Sequence, residues 1–132
     1  MRDLILNCLI FCFIITSCEQ NQFSNSIVSY EVNDCNSLQT NFSSYSEAIN
    51  IIESTKFTLT DNVNTSHSSW IRGATFYSCD ENFGYFVIKT DKNVYIHKDL
   101  PISIWNNFKN ASSLGSYYNH NIKNRYQLNL TN

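Results

Sequence analysis

The sequence lacks the local motifs by which many enzymes and metal sites are recognised. Its 132 residues include only three glycines and one proline, with no Gly-rich phosphate loop and no Gly-x-Ser-x-Gly motif. His67, His97 and His120 show neither the i, i+4 spacing of a helical metal site nor a Cys-x-x-Cys partner. We therefore expect no cofactor, no metal and no enzymatic activity. A small hydrolase remains an alternative, because a base and a nucleophile can meet in space without a sequence motif.

The chain also lacks an apolar run long enough to span a membrane. Residues 4–15 are apolar except for Asn7, which is shorter than the roughly 20 residues that a transmembrane helix needs. Such a run suits a signal peptide, and the following Ile15-Thr16-Ser17-Cys18 resembles a bacterial lipobox. The resemblance implies cleavage before Cys18 and acylation of Cys18, which would anchor an exported protein to a bacterial membrane, facing the periplasm or the cell surface. A plain cleaved signal or a short membrane anchor is the alternative.

Strong charge of one sign is absent too, since the formal net charge is −2. Residues 18–68 carry six acids and one base, whereas residues 69–132 carry four acids and seven bases. A weakly basic, aromatic-rich second half could bind single-stranded nucleic acid by charge and stacking. It is far from the basic stripe of a dedicated nucleic-acid-binding protein, so this function is kept only as an alternative.

The five cysteines divide by position. Cys8 and Cys12 lie in the predicted signal peptide, and Cys18 is the predicted lipid site. Cys35 and Cys79 remain, in a compartment that permits disulfides, and their spacing fits no metal or redox motif. The sequence predicts a Cys35–Cys79 disulfide, with two unpaired buried thiols as the alternative.

Two elements are predicted before the second half of the chain. Ser44 and Glu47 form a capping box, and the apolar spacing that follows predicts a helix over about residues 45–54. Residues 56–60 alternate and predict a strand. We expect this helix–strand extension to dock on the rest of the chain, because neither element could bury its apolar face alone.

Three later segments, rich in β-branched and aromatic residues, predict the strands of an antiparallel sheet. In the second of them, alternation places Phe86 and Ile88 on one face and Tyr85 and Val87 on the other. The three segments are residues 69–77, 84–90 and 94–101.

The last third of the chain predicts two helices. Pro101 suits the first turn of the first helix. Gly115 is expected to break the helical structure between the first helix and the second. The apolar stripes are Ile104, Trp105, Phe108 and Ala111, followed by Tyr118, Ile122 and Tyr126. The expected fold class is α+β, a small antiparallel three-stranded sheet packed by two C-terminal helices, with the N-terminal helix–strand extension.

These segments, in this order, resemble the KTSC domain, a module named after the C-terminus of certain lysyl-tRNA synthetases. The family pattern has a Ser-x-Ile start, a Tyr-x-Tyr strand, a Pro-led helix, an Ala-x-Ser-x-Gly turn and an ending rich in tyrosine. The matching stretches are Ser69-Trp70-Ile71, Tyr95-Ile96-His97, Pro101, Ala111-Ser112-Ser113-Leu114-Gly115 and residues 117–126. Two positions depart from the pattern, because His97 stands in place of the second tyrosine and Lys123 in place of an arginine. The activity of this family is not established, so the resemblance implies none. RNA binding is the one function that has been suggested for the family.

The same motif gives the predicted binding surface. Tyr95 and His97 share a strand face and carry polar tips, and Asn119 and Arg125 are expected beside them. The predicted function is a non-catalytic binding module at the cell envelope, with an unknown envelope protein or peptide as its partner. The predicted organisation is a lipoprotein signal peptide (residues 1–17), a lipidated cysteine and polar tether (18–40), the helix–strand extension (41–68) and a KTSC-like domain (69–132).

Overall fold

An antiparallel sheet with helices on both of its faces forms the body of the protein. The structure is a computed structural model that describes residues 33–131. The predicted signal peptide, the lipid site Cys18 and most of the predicted tether lie outside the described residues. The elements in chain order are α1 (Tyr45–Ser54), β1 (Leu59–Asn62), β2 (Ile71–Ser78), β3 (Phe83–Thr90), β4 (Val94–Pro101), α2 (Ile102–Lys109) and α3 (Leu114–Asn121).

The sheet contains four antiparallel strands in the order β1-β2-β3-β4. The α+β class is confirmed, but the prediction of three strands is wrong. The strand predicted at residues 56–60 begins later, at Leu59, and joins the sheet as β1, with Leu59 opposite Ser78 and Asn62 opposite Thr75. Pairing with β2 satisfies backbone groups that a separate docked strand would leave without partners. Local alternation could not show this, because it does not reveal which neighbour a strand pairs with.

Strand β3 is buried on both faces, with four consecutive buried residues from Tyr85 to Ile88. The predicted alternation is confirmed, because Phe86 and Ile88 pack in one core and Tyr85 and Val87 in the other. The first core is closed by Trp105 and Phe108 of α2, by Tyr118 of α3 and by Ile122, which caps the end of α3. The second is closed by Phe42, by Ala48 and Ile52 of α1, and by Leu128. Each large side chain that is fully buried contributes roughly 1.5–3 kcal/mol to stability.

A bulge in β4 changes which side chains face the first core. Gly84 lies opposite Leu100, whereas Phe86 lies opposite His97, so β4 has one more residue than β3 in this interval. Asp99 takes up the extra residue with a φ of 56°. As a result His97 and Leu100, three positions apart, both lie on the side of Phe86.

The helix ends follow from capping. Helix α1 spans the predicted residues, with the Ser44 hydroxyl accepting from the Glu47 N–H and the Glu47 carboxylate accepting from the Ser43 N–H. Helix α3 differs from the prediction at both ends. Gly115 lies inside its first turn, because Ser113 is the cap, and the helix stops before Tyr126. None of the helices within residues 33–131 is long and apolar enough to cross a membrane.

The segment after α3 returns to the sheet instead of continuing as a helix. Asn124 turns the chain with a φ of 65°. The Lys98 N–H then donates to the Tyr126 carbonyl at 2.8 Å, and Gln127 bridges to His97 in antiparallel orientation. The Tyr126 backbone therefore covers part of the edge of β4. Its side chain packs against the first core, like Tyr118 and Ile122, but from outside the helix.

Residues 33–40, the last part of the predicted tether, are docked on the domain. Cys35 and Cys79 form a disulfide, with their Cα atoms 5.5 Å apart, which supports the predicted pairing. The backbones of Asp34 and Lys56 form an isolated parallel β-bridge, and Leu38 packs against the second core. The disulfide thus holds the beginning of the described chain against the turn between β2 and β3.

Replacing both disulfide cysteines, Cys35→Ala with Cys79→Ala, should lower the free energy of unfolding by roughly 4 kcal/mol, because the unfolded chain loses a cross-link between residues 44 apart. Urea denaturation under non-reducing conditions measures the loss. Adding reductant to the wild type should cause a similar loss and leave the double variant unaffected. Two thiols that alkylate freely in denatured, unreduced wild type would contradict the pairing.

Candidate binding cleft

A cleft of about 310 Å³ opens at the edge of the sheet, between β4, α3 and the segment that follows α3. Trp70, Tyr95 and Tyr118 supply its aromatic walls, and we call it the aromatic cleft. Asn119 and Lys123 bring an amide and an ammonium group to it. The other residues that line it are Tyr45, Ile96, His97, Asn124 and Gln127.

His97 lies beneath the cleft and is only 3% exposed. Its ring stacks on Phe86 with centroids 5.6 Å apart, and its Nε2 is 3.2 Å from the Tyr118 hydroxyl. Its Nδ1 is buried and forms no hydrogen bond of ordinary geometry with the described residues. His97 therefore belongs as much to the first core as to the cleft, and its imidazole is a structural support for Tyr118.

Burial sets the protonation of this pair. It lowers the pKa of His97 from 6.5 to about 4, because a buried imidazolium loses its hydration, and the Tyr126 backbone opposes this shift only in part. Burial also raises the pKa of Tyr118 to about 12, with a smaller contribution from Tyr95. Both groups are therefore neutral near pH 7, and they hold each other by a neutral hydrogen bond.

Trp70 is positioned by α3. Its half-buried ring meets Tyr118 edge to face at 5.8 Å. A Cβ atom at position 115 would lie only 2.5 Å from the Trp70 Nε1, so the indole can occupy this place only above a glycine. Gly73, by comparison, has room for a Cβ atom, which would lie 3.7 Å from the Lys89 side chain. Gly115 is thus required by the position of Trp70 in the cleft.

The cleft has a simple charge pattern. Among residues 33–131, Lys123 is the one formally charged side chain in its lining, and none of these residues brings a carboxylate to it. Near the adjacent β3–β4 turn, the Arg72 guanidinium is paired with Asp91 at 2.6 Å. Residues 33–131 contain no group of three or more His, Cys, Asp and Glu side chains that could hold a metal ion.

Three of the four residues of the predicted binding surface come together here. Tyr95, which is 42% exposed, shares the cleft with His97 and Asn119, whereas Arg125 is exposed but does not line it. The prediction omitted Trp70, although the Ser69-Trp70-Ile71 motif could have indicated it. Tyr45 was also omitted, and no signal could have found it, because it reaches the cleft only through the docking of α1.

The fold and the site define a small α+β domain with an antiparallel sheet, helices on both faces and an aromatic cleft at one edge. Residues 86–126 match the family model of the KTSC domain. The match supports the family suggested by the sequence motifs for this part of the chain. It runs from β3 through α3 and contains Tyr95, His97 and Asn119 but not Trp70. No curated protein and no solved structure matches the chain significantly.

The buried His97 should make stability depend on pH. The pKa of the imidazole is near 6.5 in the unfolded chain and about 4 in the folded one. The contribution of neutral His97 to the free energy of unfolding is therefore fully present above pH 6.5. It is lost as the pH falls from 6.5 to 4, by up to roughly 3 kcal/mol. His97→Gln keeps a hydrogen-bonding group towards Tyr118 and removes the titration. Urea denaturation of both proteins across this pH range measures the difference.

The matched control is His120→Gln, which removes an exposed histidine and should keep the wild-type pH dependence. If His97→Gln and wild type lose stability in parallel between pH 6.5 and pH 4, the neutral buried state of His97 is disproved.

Proposed function

We propose that the protein is a non-catalytic binding module, held at the bacterial cell envelope by a lipid on Cys18, and that the aromatic cleft is its binding site. The observation that carries this proposal is the exposure of Tyr95 beside the half-buried Trp70, at the mouth of a concave site with polar groups around it. Exposed aromatic rings around a cavity that also offers a few hydrogen-bonding groups are typical of binding sites.

The chemistry of His97 favours binding over catalysis. A general base needs a pKa near the working pH and a free nitrogen within hydrogen-bond reach of the reacting group. The Nε2 of His97 instead meets the Tyr118 hydroxyl, whose pKa is raised, and the lowered pKa of the imidazole makes it a weak base. The small hydrolase considered from the sequence therefore gains no support from this pair.

Binding at the cleft can be tested with a panel of defined compounds from several chemical classes: oligosaccharides, short peptides and single-stranded oligonucleotides. The probe is the isotope-labelled full chain in detergent micelles, followed by NMR. We expect at least one class to shift the amide signals of Asn119 and Lys123, and Tyr95→Ala to weaken that binding at least tenfold.

Phe83→Ala is the control, because Phe83 is also an exposed aromatic residue on a strand but does not line the cleft. Both substitutions should change stability by no more than about 0.5 kcal/mol, as exposed substitutions usually do. The cleft is not the binding site if no class shifts these signals, or if both variants bind equally well.

The membrane anchor has a separate test. Cys18→Ser should move the protein from the membrane fraction to the soluble or unprocessed fraction, because a lipid attached to the thiol can no longer form. Cys12→Ser alters a cysteine inside the apolar run and should leave the distribution unchanged. Intact-mass analysis of the mature wild type checks the modification itself, and a mass without acyl groups would refute the anchor.

A further inference from the structure

Trp70 stands where three depressions of the surface meet. Besides the aromatic cleft, it lines a groove of about 500 Å³ and a cleft of about 230 Å³. We call the first the serine groove, because Ser68, Ser69, Ser112, Ser113 and Ser116 line it. The second is the turn cleft, formed by residues 90–93 with Trp70 and Tyr95. A ligand that lies on Trp70 can therefore extend in more than one direction, and the surface suits a chain better than a single small molecule.

The groups around Trp70 are mainly neutral donors and acceptors. The serine groove adds the Asn64 amide to its hydroxyl groups and shares Asn119 with the aromatic cleft. Hydroxyls and primary amides both donate and accept hydrogen bonds, so they fit a ligand that carries many hydroxyl or acetamido groups. The indole and phenol rings offer flat apolar faces beside these groups.

Few charges on this surface are available to a ligand. Lys109, in the serine groove, is paired with Asp61, and Asp91, in the turn cleft, is paired with Arg72. Among the described residues, Lys92 and Lys123 are the lysines of this surface for which no salt bridge is formed. Two lysines are too few for a ligand with a phosphate at every unit, whose binding relies on many such contacts.

We propose that the ligand of this surface is an oligosaccharide, with one sugar ring on Trp70 and Tyr95 and its neighbours in the serine groove and the turn cleft. A pyranose ring presents C–H groups on a face, which pack on an aromatic ring, and hydroxyl groups at its rim, which the Asn119 amide and the serine hydroxyls can bind. An apolar peptide fits less well, because serine and asparagine make up half of the residues that line the groove beyond Trp70, beside the apolar Val63, Ala111 and Leu114. This inference rests on the proposed function, since it names the ligand of the same cleft.

Isothermal titration calorimetry on the full chain in detergent tests the inference, with chitotetraose, cellotetraose and short soluble peptidoglycan glycan strands as probes. We expect at least one to bind with a Kd of about 1 mM or tighter, and its monosaccharide to bind at least tenfold more weakly. The affinity should change less than about threefold between low and high salt, unlike binding that depends on phosphate contacts.

Two substitutions should each weaken saccharide binding at least tenfold: Trp70→Ala, which removes the platform, and Asn119→Ala, which removes an exposed amide. Asn106→Ala is the matched control, because Asn106 is an exposed helical asparagine that lines none of the three depressions. Circular dichroism checks that each variant is folded. Since Asn119 is exposed, its variant keeps the test valid even if the loss of Trp70 disturbs packing.

Several results would overturn the saccharide proposal. They are no binding of any probe at about 5 mM, equal affinity for the monosaccharide and the tetrasaccharide, or full binding by Asn119→Ala. If only oligonucleotides or only peptides bind at the cleft in the NMR panel, the saccharide proposal falls and the binding module stands. If no class binds there, both fall.

Discussion

The burial of β3 on both faces is the constraint on which the rest of the structure depends. Four consecutive apolar residues need cover from two sides, and each side is built from different parts of the chain. Helices α2 and α3, which follow the sheet, cover the first side. The second is covered by α1 and by Phe42 and Leu128, which lie near the two ends of the described chain. The Thr131 N–H donates to the Phe42 carbonyl, so these two ends also hold each other.

The aromatic cleft lies where this cover stops. The chain after α3 pairs with β4 through Lys98 and Ile96 and goes no further along the edge. Tyr118 reaches over His97, but nothing among the described residues buries Tyr95 to the same degree. An exposed ring next to a covered one leaves a concave site. The position of the cleft is thus a consequence of the length of α3 and of the turn at Asn124, which decide how far the cover extends.

Local patterns in the sequence were sufficient for most elements and insufficient for their pairing. The capping box correctly predicted α1, and alternation correctly placed Phe86 and Tyr85 on opposite faces of the sheet. Both signals depend only on residues close in sequence. The addition of β1 to the sheet and the end of α3 depend on contacts between residues far apart in sequence. The same limit applies to the site. The motif predicted Tyr95 and Asn119, whereas the burial of His97 depends on cover by Phe86 and Tyr118, which are distant from it in sequence.

The residues that shape the cleft differ from those that would touch a ligand in it. His97, Tyr118 and Gly115 are buried, and each fixes the position of a neighbour, so a change in any of them disturbs the fold. Tyr95 and Asn119 are exposed, and little in the core depends on them. Exposed positions tolerate substitution at small cost in stability. A buried frame that holds Trp70 in place can therefore be kept while the rim is altered, so domains with this frame can differ in what they bind.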